Sequence, residues 1–427
     1  MSFTVAAYTL GCKVNHYDSE AILSDFADMG FELRDFKDEV DVLIINTCTV
    51  TNVSDKKSRQ VINRAYRQNP KALIVAYGCY AQVEPEALAA LPGVSMVVGT
   101  ADKQGLAQIV AERLGCNKAQ AAEKPKEKSK PGRSRAYLKV QDGCDRYCSY
   151  CIVPYARGGP VSRTIEEAYK EAEALVEAGC KEIVLSGIQI ASYGNDLDSE
   201  SNLINLMKRI HDIPGLKRLR LSSLEPNLIS DDFLHSAYNL PKLCDHFHLS
   251  LQSGCDRTLK RMNRRYTTAY YSQAAEAILS YFPKAALTTD IIVGFPGETD
   301  ADFAESLAFA EKMGFFRIHV FPYSKKNGTA AASYPGQLDL DTKNLRSQAM
   351  RSLADRLNRD YYRRFIGLSL AVLFESQTSE GLWEGHTTQY MTVNVASSHD
   401  LKNCICKAKI IEEKNGTAYG ALLDAGF

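Results

Sequence analysis

The sequence predicts an α/β multidomain protein with three parts: a flavodoxin-like N-terminal domain, an open six-unit (β/α) partial TIM barrel and a small C-terminal β-barrel. Two patterns support this prediction. Apolar strand-like runs alternate with helical patterns through most of the chain, as expected of parallel sheets. After a long charged helical pattern, residues 361–427 contain short β-rich runs, which suit a small barrel.

The N-terminal domain is predicted from four strands that alternate with helical patterns. These strands are residues 3–10, 41–46, 72–77 and 94–98. Six further strand candidates follow: residues 136–141, 181–186, 218–222, 246–251, 286–293 and 317–321. A closed barrel needs eight units in roughly 250 residues, so six units indicate an open barrel. The predicted domains are residues 1–116, 136–360 and 361–427, with a polar linker at 117–135.

The composition is ordinary for a globular protein. Of the 427 residues, 45% are hydrophobic, and 51 Lys and Arg balance 51 Asp and Glu, so charge alone does not predict nucleic-acid binding. No run approaches the ~18 apolar residues of a membrane span, and the N-terminus lacks a basic leader. We therefore expect a cytoplasmic location and no membrane partner. In that reducing compartment, the 12 cysteines are expected to be metal ligands or buried apolar residues rather than disulfides.

Three cysteines lie within eight residues, directly after the first predicted barrel strand. Cys144, Cys148 and Cys151, the compact triplet, have the spacing Cys-x3-Cys-x2-Cys. A loop of this length can wrap one corner of a 4Fe–4S cubane, and three thiolates leave the fourth iron open for a small molecule. A zinc ribbon needs a second cysteine pair, and none is placed to supply it. The spacing therefore predicts a 4Fe–4S cluster at the barrel mouth.

A second set of three cysteines is spread along the N-terminal domain. Cys12, Cys48 and Cys79, the dispersed triplet, each follow a predicted strand. The loops after parallel strands gather at one edge of the sheet, so these cysteines can converge. The helix N-termini that follow favour anionic thiolates there. We expect a second metal centre with one open position; the alternative is three buried structural cysteines.

The segment 137–158 (YLKVQDGCDRYCSYCIVPYARG) resembles the cluster loop of radical S-adenosylmethionine enzymes, in which an aromatic residue precedes the last cysteine. This resemblance implies that S-adenosylmethionine binds the open iron and is cleaved to methionine and a 5′-deoxyadenosyl radical. The segments SGI (186–188), SLQSG (250–254), DIIVGFPGE (290–298) and FPYS (321–324) resemble the superfamily's cofactor contacts at later strand ends. The implied cofactor-binding residues are Tyr150, Ser186, Gly187, Ser250, Gln252, Asp290 and Phe321.

Both triplets together with the terminal β-domain make the whole chain similar to the methylthiotransferase family. The similarity implies a second 4Fe–4S cluster at the dispersed triplet and a TRAM-like, RNA-binding C-terminal barrel. The motifs TLGCKVN (9–15) and YGCYAQ (77–82) are most similar to the branch acting on threonylcarbamoyl-adenosine in tRNA. The implied reaction adds a methylthio group to carbon 2 of that base, next to the anticodon. The implied partners are tRNA, bound at its anticodon loop, a reducing electron donor and a sulfur source.

Three alternatives stay open at this point. Other branches of the family act on isopentenyl-adenosine in tRNA or on an aspartate of a ribosomal protein. A non-catalytic RNA-binding iron–sulfur protein is the alternative from outside the enzymes. One loop, residues 325–329, also departs from the arginine and prolines that relatives often have, and its role is open.

Contacts to the tRNA phosphates are expected from local basic patches. The densest basic run follows the fourth barrel strand and consists of Arg257, Lys260, Arg261, Arg264 and Arg265, predicted here to bind substrate. Its alternative interpretation is a solvated helix face. From Tyr361 onward, the sequence has six Lys and Arg and seven Asp and Glu, so the terminal domain is expected to recognise RNA shape, or to stack on bases through Trp383 or Tyr390, more than to use charge. The histidines show no ligand spacing.

Overall fold

The computed structural model describes residues 3–103, 105–115 and 133–423, so residues 117–132 of the predicted linker lie outside the described residues. The backbone divides into two compact units. The first comprises Met1–Glu127, Asp142–Val161 and Ser324–Ala332. The second comprises Lys128–Gln141, Ser162–Tyr323 and Ser333–Phe427. The compact triplet therefore belongs to the same unit as the N-terminal sheet.

The first unit is built on a five-stranded parallel sheet. Its strands are β1 (Thr4–Thr9), β2 (Glu32–Leu33), β3 (Val42–Thr47), β4 (Leu73–Gly78) and β5 (Val94–Val98). Its helices are α1 (Lys13–Asp28), α2 (Asn52–Gln68), α3 (Cys79–Val83), α4 (Pro85–Ala89), α5 (Leu106–Arg113) and α6 (Val153–Arg157). The strand order β2-β1-β3-β4-β5 is the flavodoxin-like order, which confirms the predicted class. Strand β2 was not predicted, because two residues are too few to show the alternation of apolar and polar side chains that marks a strand.

The centre of this sheet follows from continuous apolar runs. Every residue of β3 is buried, as expected of a strand covered on both faces. The register pairs Thr9 with Asn46, and Thr47 with Gly78. The carboxyl ends of β1, β3 and β4 are therefore level at one edge of the sheet. This alignment brings the loops that follow the three strands together.

The second unit contains the barrel strands. They are β6 (Arg135–Lys139), β9 (Glu182–Ser186), β10 (Arg218–Leu221), β11 (Ser223–Leu224), β12 (His246–Leu249), β13 (Ala286–Val293) and β14 (Arg317–Pro322). The two-residue strands β7 (Gln141–Asp142) and β8 (Val161–Ser162) precede and follow α6 along the chain. The helices are α7 (Ile165–Glu177), α8 (Leu203–His211), α9 (Asp231–Tyr238), α10 (Asp256–Arg261), α11 (Thr268–Tyr281), α12 (Asp300–Met313) and α13 (Leu340–Arg363).

The barrel strands pair in parallel along two ladders. One ladder has the order β10-β9-β6 and the other β11-β12-β13-β14. The strands β10 and β11 are one strand interrupted at Ser222, so the unit has the six predicted strands. The predicted open six-unit barrel is therefore confirmed. Helices α7 and α12 begin with capping boxes, at Thr164 and Thr299, which fixes where the crossovers start.

The C-terminal residues form a closed five-stranded barrel, as predicted. Its strands are β15 (Ser369–Gln377), β16 (Trp383–His386), β17 (Thr392–Val395), β18 (Ile405–Lys414) and β19 (Thr417–Leu422). Its core includes Tyr361 and Tyr362 from the end of α13 and Phe316 before β14. The long helix therefore supplies part of the small barrel's core. The barrel packs within the second unit through these aromatic rings.

A buried ionic network also lies in this unit, centred on Glu182 of β9. The Oε1 atom of Glu182 accepts hydrogen bonds from Arg135 Nε at 2.8 Å and from Arg220 Nε at 2.7 Å. Arg218 Nη1 lies 3.6 Å from Oε2 and donates to the His386 carbonyl. Desolvation by itself would raise the pKa of Glu182, but the guanidinium groups of Arg220 and Arg135 outweigh it and lower the pKa to about 2.

Replacing Glu182 with glutamine is expected to destabilise the metal-free chain by about 3–5 kcal/mol at pH 7, because three guanidinium groups lose their buried counter-charge. The carboxylate of Glu182 has a lowered pKa in the folded state, so its contribution is complete above about pH 4.5 and is lost as the pH falls towards 2. Urea unfolding from pH 7 downward measures both effects. Glu171→Gln is the matched control, since Glu171 pairs with Arg163 at a part-exposed position. Equal stability of the two variants at pH 7 would contradict this account.

Candidate metal centres and cofactor site

The dispersed triplet lies at the carboxyl edge of the N-terminal sheet. Cys12 follows β1 and is the N-cap residue of α1. Cys48 follows β3, and Cys79 follows β4 as the first residue of α3. The three strands are neighbours in the order β1-β3-β4, so the loops that carry the cysteines are adjacent.

Two glycines allow the cysteine loops to approach closely. Gly11 has φ +104°, and a Cβ atom added there would lie 3.1 Å from the Sγ atom of Cys48. Gly78 has φ +102°, and an added Cβ atom would lie 2.5 Å from Oδ1 of Asn46. Each glycine directly precedes a cysteine, so a side chain in either place would push the triplet apart. The structure thus brings Cys12 and Cys48 together as the sequence predicted.

The electrostatics of the dispersed triplet suit a metal site. Burial raises the pKa of the Cys79 thiol to about 11 and also raises the pKa of Cys48. Coulombic repulsion from Cys48 and Cys12 adds to the rise in the pKa of Cys79, as expected of neighbouring thiols. Cys12 is exposed, whereas the other two are buried. Three converging thiols with one open side fit a cluster that has three protein ligands and one exchangeable position.

An amide and hydroxyl network supports this edge of the sheet. Asn15 Nδ2 donates to the Leu10 carbonyl at 2.8 Å and to Asn46 Oδ1 at 3.2 Å. Asn46 Nδ2 donates to the Tyr77 hydroxyl at 2.6 Å. Oδ1 of Asn15 lies 3.6 Å from Cys12 Sγ. No role was predicted for Asn15, Asn46 or Tyr77 from the sequence, because their contacts join α1, β3 and β4.

The compact triplet occupies an irregular loop between β7 and α6. Cys148 is buried, and Cys144 and Cys151 are half-buried. The loop closes on itself where Cys144 N donates to the Gly158 carbonyl at 3.0 Å. Gly143 has φ +72°, and a Cβ atom added there would lie 1.9 Å from the Gly159 carbonyl oxygen, so only glycine fits. Three thiols on one short closed loop suit the corner of a cubane, as predicted.

Two buried cations of the first unit lie beside these loops. Arg157, at the end of α6, donates to Asp142 at 2.8 Å and to Asn15 Oδ1 at 2.5 Å. Lys326 is 1% exposed, and its Nζ atom lies 2.6 Å from Asp55 Oδ2.

Residues 325–329, whose role the sequence left open, lie in the segment Ser324–Ala332 of the first unit, which is held by Lys326 and by backbone contacts. Lys326 Nζ also lies 3.1 Å from Glu84 Oε1 and 5.4 Å from the centre of the Tyr80 ring. Ala331 N donates to the Ser149 carbonyl of the compact-triplet loop at 2.7 Å. The loop therefore joins the N-terminal sheet to the segment that carries the compact triplet.

In the second unit, the predicted cofactor residues lie at the carboxyl ends of the barrel strands. Ser186 ends β9, and a Cβ atom added to Gly187 would lie 2.9 Å from Gln141 Oε1, so this turn needs glycine. Ser250 directly follows β12, and Phe321 lies on β14 with 44% of its surface exposed. The remaining predicted residue, Tyr150, is half-buried in the compact-triplet loop of the first unit.

Gln252, which follows β12, lies beside Asp290 on the neighbouring strand β13. Gln252 has φ +72°, a strained value for glutamine, and its backbone N–H donates to the Asp290 carbonyl at 2.8 Å. The Asp290 carboxylate lies 3.4 Å from His248 Nε2. One donor atom from each of His248, Asp290 and His319 falls within 4.8 Å of the others. The histidines therefore do converge, which linear spacing did not indicate because they lie on separate strands.

The predicted basic run is divided between internal and exposed positions. Arg264 lies 3.1 Å from Glu225 and hydrogen-bonds to Tyr266, whereas Arg257 pairs with Asp302. Arg261 packs against Gly297. Arg257, Lys260 and Arg265 are exposed, whereas Arg261 and Arg264 are half-buried.

The expected aromatic stacking surface of the terminal barrel needs correction. Trp383 is 7% exposed and belongs to the barrel core, so the expectation is wrong for this residue. Arg135 and Arg220 lie 5.0 and 4.6 Å from the centre of the Tyr390 ring, which also stacks on His386. Tyr390 is therefore already engaged within the protein. A sequence without coordinates cannot distinguish such a ring from an exposed one.

Among residues 3–103, 105–115 and 133–423, no helix combines the length and the apolar character needed to cross a bilayer.

Residues 138–310 match the Radical SAM superfamily. Residues 4–99 match a family described as Uncharacterized protein family UPF0004. The first match covers most of the barrel up to α12, and the second covers the N-terminal sheet.

Curated relatives match almost the whole chain. The threonylcarbamoyladenosine tRNA methylthiotransferase MtaB of Bacillus subtilis is 42% identical over 96% of this chain and 94% of its own length. The enzyme of the same name from Thermotoga maritima is 34% identical over 96% of this chain and 98% of its own. The tRNA-2-methylthio-N(6)-dimethylallyladenosine synthase of Acetivibrio thermocellus is 32% identical over 97% and 90%.

Solved structures agree in fold. The radical S-adenosylmethionine methyltransferase TsrM from Kitasatospora setae, solved with cobalamin and a [4Fe-4S] cluster, superimposes with a TM-score of 0.55 at 16% identity, covering 75% of each chain. At this identity the likeness concerns the fold alone. The sequence relatives, which are more similar and match nearly end to end, decide the family. The chain belongs to the radical S-adenosylmethionine methylthiotransferase family.

Proposed function

We propose that this chain adds a methylthio group to carbon 2 of N(6)-threonylcarbamoyladenosine next to the anticodon of tRNA. It uses S-adenosylmethionine and two 4Fe–4S clusters. The observation that carries the proposal is the pair of cysteine triplets, one closed into a short loop and the other gathered at a sheet edge. The relatives with the highest identities among those compared act, by name, on threonylcarbamoyladenosine, and this supports the choice of substrate.

The chemistry of the target explains why two centres are needed. Carbon 2 of adenine carries an unactivated C–H bond, and no side-chain base removes that hydrogen as a proton in water. When bound at the compact triplet, a cluster and S-adenosylmethionine supply a 5′-deoxyadenosyl radical, which can remove it as an atom. The sulfur of the product must come from a second source. A cluster with one exchangeable position, at the dispersed triplet, suits that task.

We assign the roles by position in the fold. Cys144, Cys148 and Cys151 would ligate the radical-forming cluster, and Cys12, Cys48 and Cys79 the auxiliary one. Tyr150, Ser186, Gly187, Ser250, Gln252, Asp290 and Phe321 would contact S-adenosylmethionine. We also assign residues 1–116 to the auxiliary-cluster domain, 136–360 to the radical domain and 361–427 to a TRAM-like RNA-binding domain.

Contacts to the tRNA are assigned to the basic run after β12. The target base lies in a loop, where unstacking costs only a few kcal/mol. Arg257, Lys260 and Arg265 are the exposed members of the basic run and are assigned to phosphate contacts. Arg261 and Arg264, which are half-buried, would orient this segment through their contacts with Gly297 and Glu225. A reducing electron donor and a source of replacement sulfur complete the partners, in the cytoplasm.

Deleting the gene is expected to remove the 2-methylthio mark from threonylcarbamoyladenosine in cellular tRNA and to leave the unmodified parent nucleoside in its place. Mass spectrometry of digested tRNA measures both nucleosides. A plasmid copy should restore the mark, and a copy with Cys79→Ala should not. The mark on isopentenyl-adenosine serves as the internal control. Retention of the mark on threonylcarbamoyladenosine, or loss confined to isopentenyl-adenosine, would contradict the proposed substrate.

A further inference from the structure

A buried guanidinium lies beside the dispersed triplet, yet it comes from the segment that carries the compact one. Arg157 is six residues beyond Cys151 and its side chain is 2% exposed. Its Nη2 atom donates to Oδ1 of Asn15 at 2.5 Å. The Cys12 Sγ atom lies 3.6 Å from that same oxygen. One amide oxygen thus joins the guanidinium to a thiol of the dispersed triplet.

The Arg157 side chain is held in this place by carboxylates. Its Nη1 atom lies 2.8 and 3.0 Å from the two oxygens of Asp142 and 3.3 Å from Asp18. Lys103 bridges the same two carboxylates, at 3.0 and 3.3 Å. The hydroxyl of Thr100 hydrogen-bonds to the carbonyl of Ala156, the neighbouring residue. These contacts leave the guanidinium little freedom to turn away.

The same contacts close the base of the compact-triplet loop. Asp142 stands before the loop and Arg157 after it, so their ion pair joins the two ends. The loop base is then attached to α1 through Asn15 and Asp18, and Cys12 is the N-cap of that helix. A continuous series of contacts therefore runs from one triplet to the other within the first unit.

The charged groups around Arg157 are expected to influence a cluster bound at the dispersed triplet. Arg157 and Lys103 offset the carboxylates of Asp18 and Asp142, which would otherwise add negative charge beside the thiolates. An arginine stays protonated at all working pH values. Charged and hydrogen-bonding groups around a ligand shell set the affinity and the reduction potential of a cluster. A cation beside the thiolates favours the more negative, reduced form.

We propose that Arg157 is a positioning residue for the cluster at Cys12, Cys48 and Cys79. Its guanidinium stabilises the anionic ligand shell, raises the reduction potential of that cluster and fixes the base of the compact-triplet loop against α1. This inference rests on the proposed function, because it takes the dispersed triplet as the auxiliary-cluster site. It adds a residue from outside the N-terminal domain to the environment of that cluster.

The test uses the full chain with Cys144, Cys148 and Cys151 replaced by alanine, so that only the dispersed triplet can hold a cluster. This parent is compared with the same chain carrying Arg157→Gln or Arg157→Lys. Iron content, the rate of iron loss to a chelator and the midpoint potential from EPR-monitored titration are measured without tRNA. We expect about four irons per parent chain. Arg157→Gln should shift the potential to a more negative value and accelerate iron loss about tenfold.

Arg157→Lys separates charge from geometry. It keeps the cation but loses the forked hydrogen bonds, so its potential should lie between those of the parent and the glutamine variant. Arg163→Gln is the matched control, since Arg163 pairs with Glu171 in the second unit and should behave like the parent. If Arg157→Gln does not fold, faster iron loss and a lowered potential in Arg157→Lys support the inference.

Two results would overturn the inference by different routes. Parent-like potential and iron loss in the Arg157 variants would remove the role of Arg157 while leaving the cluster site intact. A parent chain that binds no iron after reconstitution would contradict the auxiliary-cluster assignment itself, and with it the proposed function. Shifts of equal size in Arg163→Gln would show a general loss of stability and would also overturn the inference.

Discussion

Replacing Cys151 with alanine is expected to abolish 5′-deoxyadenosine formation while about four of about eight irons remain bound. The compact triplet has no spare thiol within its loop, so losing one ligand opens a second iron and leaves the cluster unable to hold S-adenosylmethionine in place. Chromatography of the reaction with reduced protein and S-adenosylmethionine measures 5′-deoxyadenosine, and iron analysis of the same sample measures the remaining cluster.

Cys406→Ala is the control for this experiment. Cys406 is half-buried against the core of the terminal barrel and lies far along the chain from both triplets. It should keep full iron content and normal 5′-deoxyadenosine formation. Undiminished 5′-deoxyadenosine in Cys151→Ala would show that the compact triplet is not the radical-forming site.

Replacing Cys79 with alanine is expected to abolish the 2-methylthio product but to leave 5′-deoxyadenosine formation intact. The radical-forming site is intact, so 5′-deoxyadenosine should still appear, but the 2-methylthio product should fall below detection because the sulfur source is lost. Iron should again fall to about four per chain. Cys79 is 5% exposed and lies at the start of α3, so its loss removes one of the two buried thiols of the triplet. Both products are quantified from one reaction with tRNA.

The matched variant for Cys79→Ala is Cys244→Ala, since Cys244 is also buried but belongs to the second unit. This control should retain both products. If Cys79→Ala still forms the 2-methylthio nucleoside, the dispersed triplet is structural, which was the alternative interpretation of these cysteines.

The fold and the convergence of the cysteine loops could be predicted from the sequence because both depend on local or periodic signals. The compact triplet is a spacing within one loop. The dispersed triplet could be inferred because parallel strands place their carboxyl ends at one edge, and the register of Thr9 with Asn46 bears this out. The short strands β2 and β16 escaped prediction because two to four residues carry too little pattern.

Other parts of the site depend on contacts that no linear pattern contains. Arg157 reaches Asn15 across 142 residues, and Lys326 reaches Asp55 across 271. The partners of Tyr390 are two arginines on strands β6 and β10, so its ring looked available in the sequence but is engaged in the structure. Each of these contacts joins separate chain segments, and only the packed structure reveals which segments meet.

We propose that this one chain both generates the radical and supplies the sulfur that modifies threonylcarbamoyladenosine. In the most direct test, the reconstituted, reduced protein is incubated with S-adenosylmethionine and tRNA bearing threonylcarbamoyladenosine. A parallel reaction uses tRNA bearing isopentenyl-adenosine. Mass spectrometry then quantifies 5′-deoxyadenosine and the 2-methylthio nucleosides. We predict both 5′-deoxyadenosine and 2-methylthio-threonylcarbamoyladenosine in the first reaction. Formation of 5′-deoxyadenosine without that nucleoside, or a 2-methylthio product only on isopentenyl-adenosine, would contradict the claim.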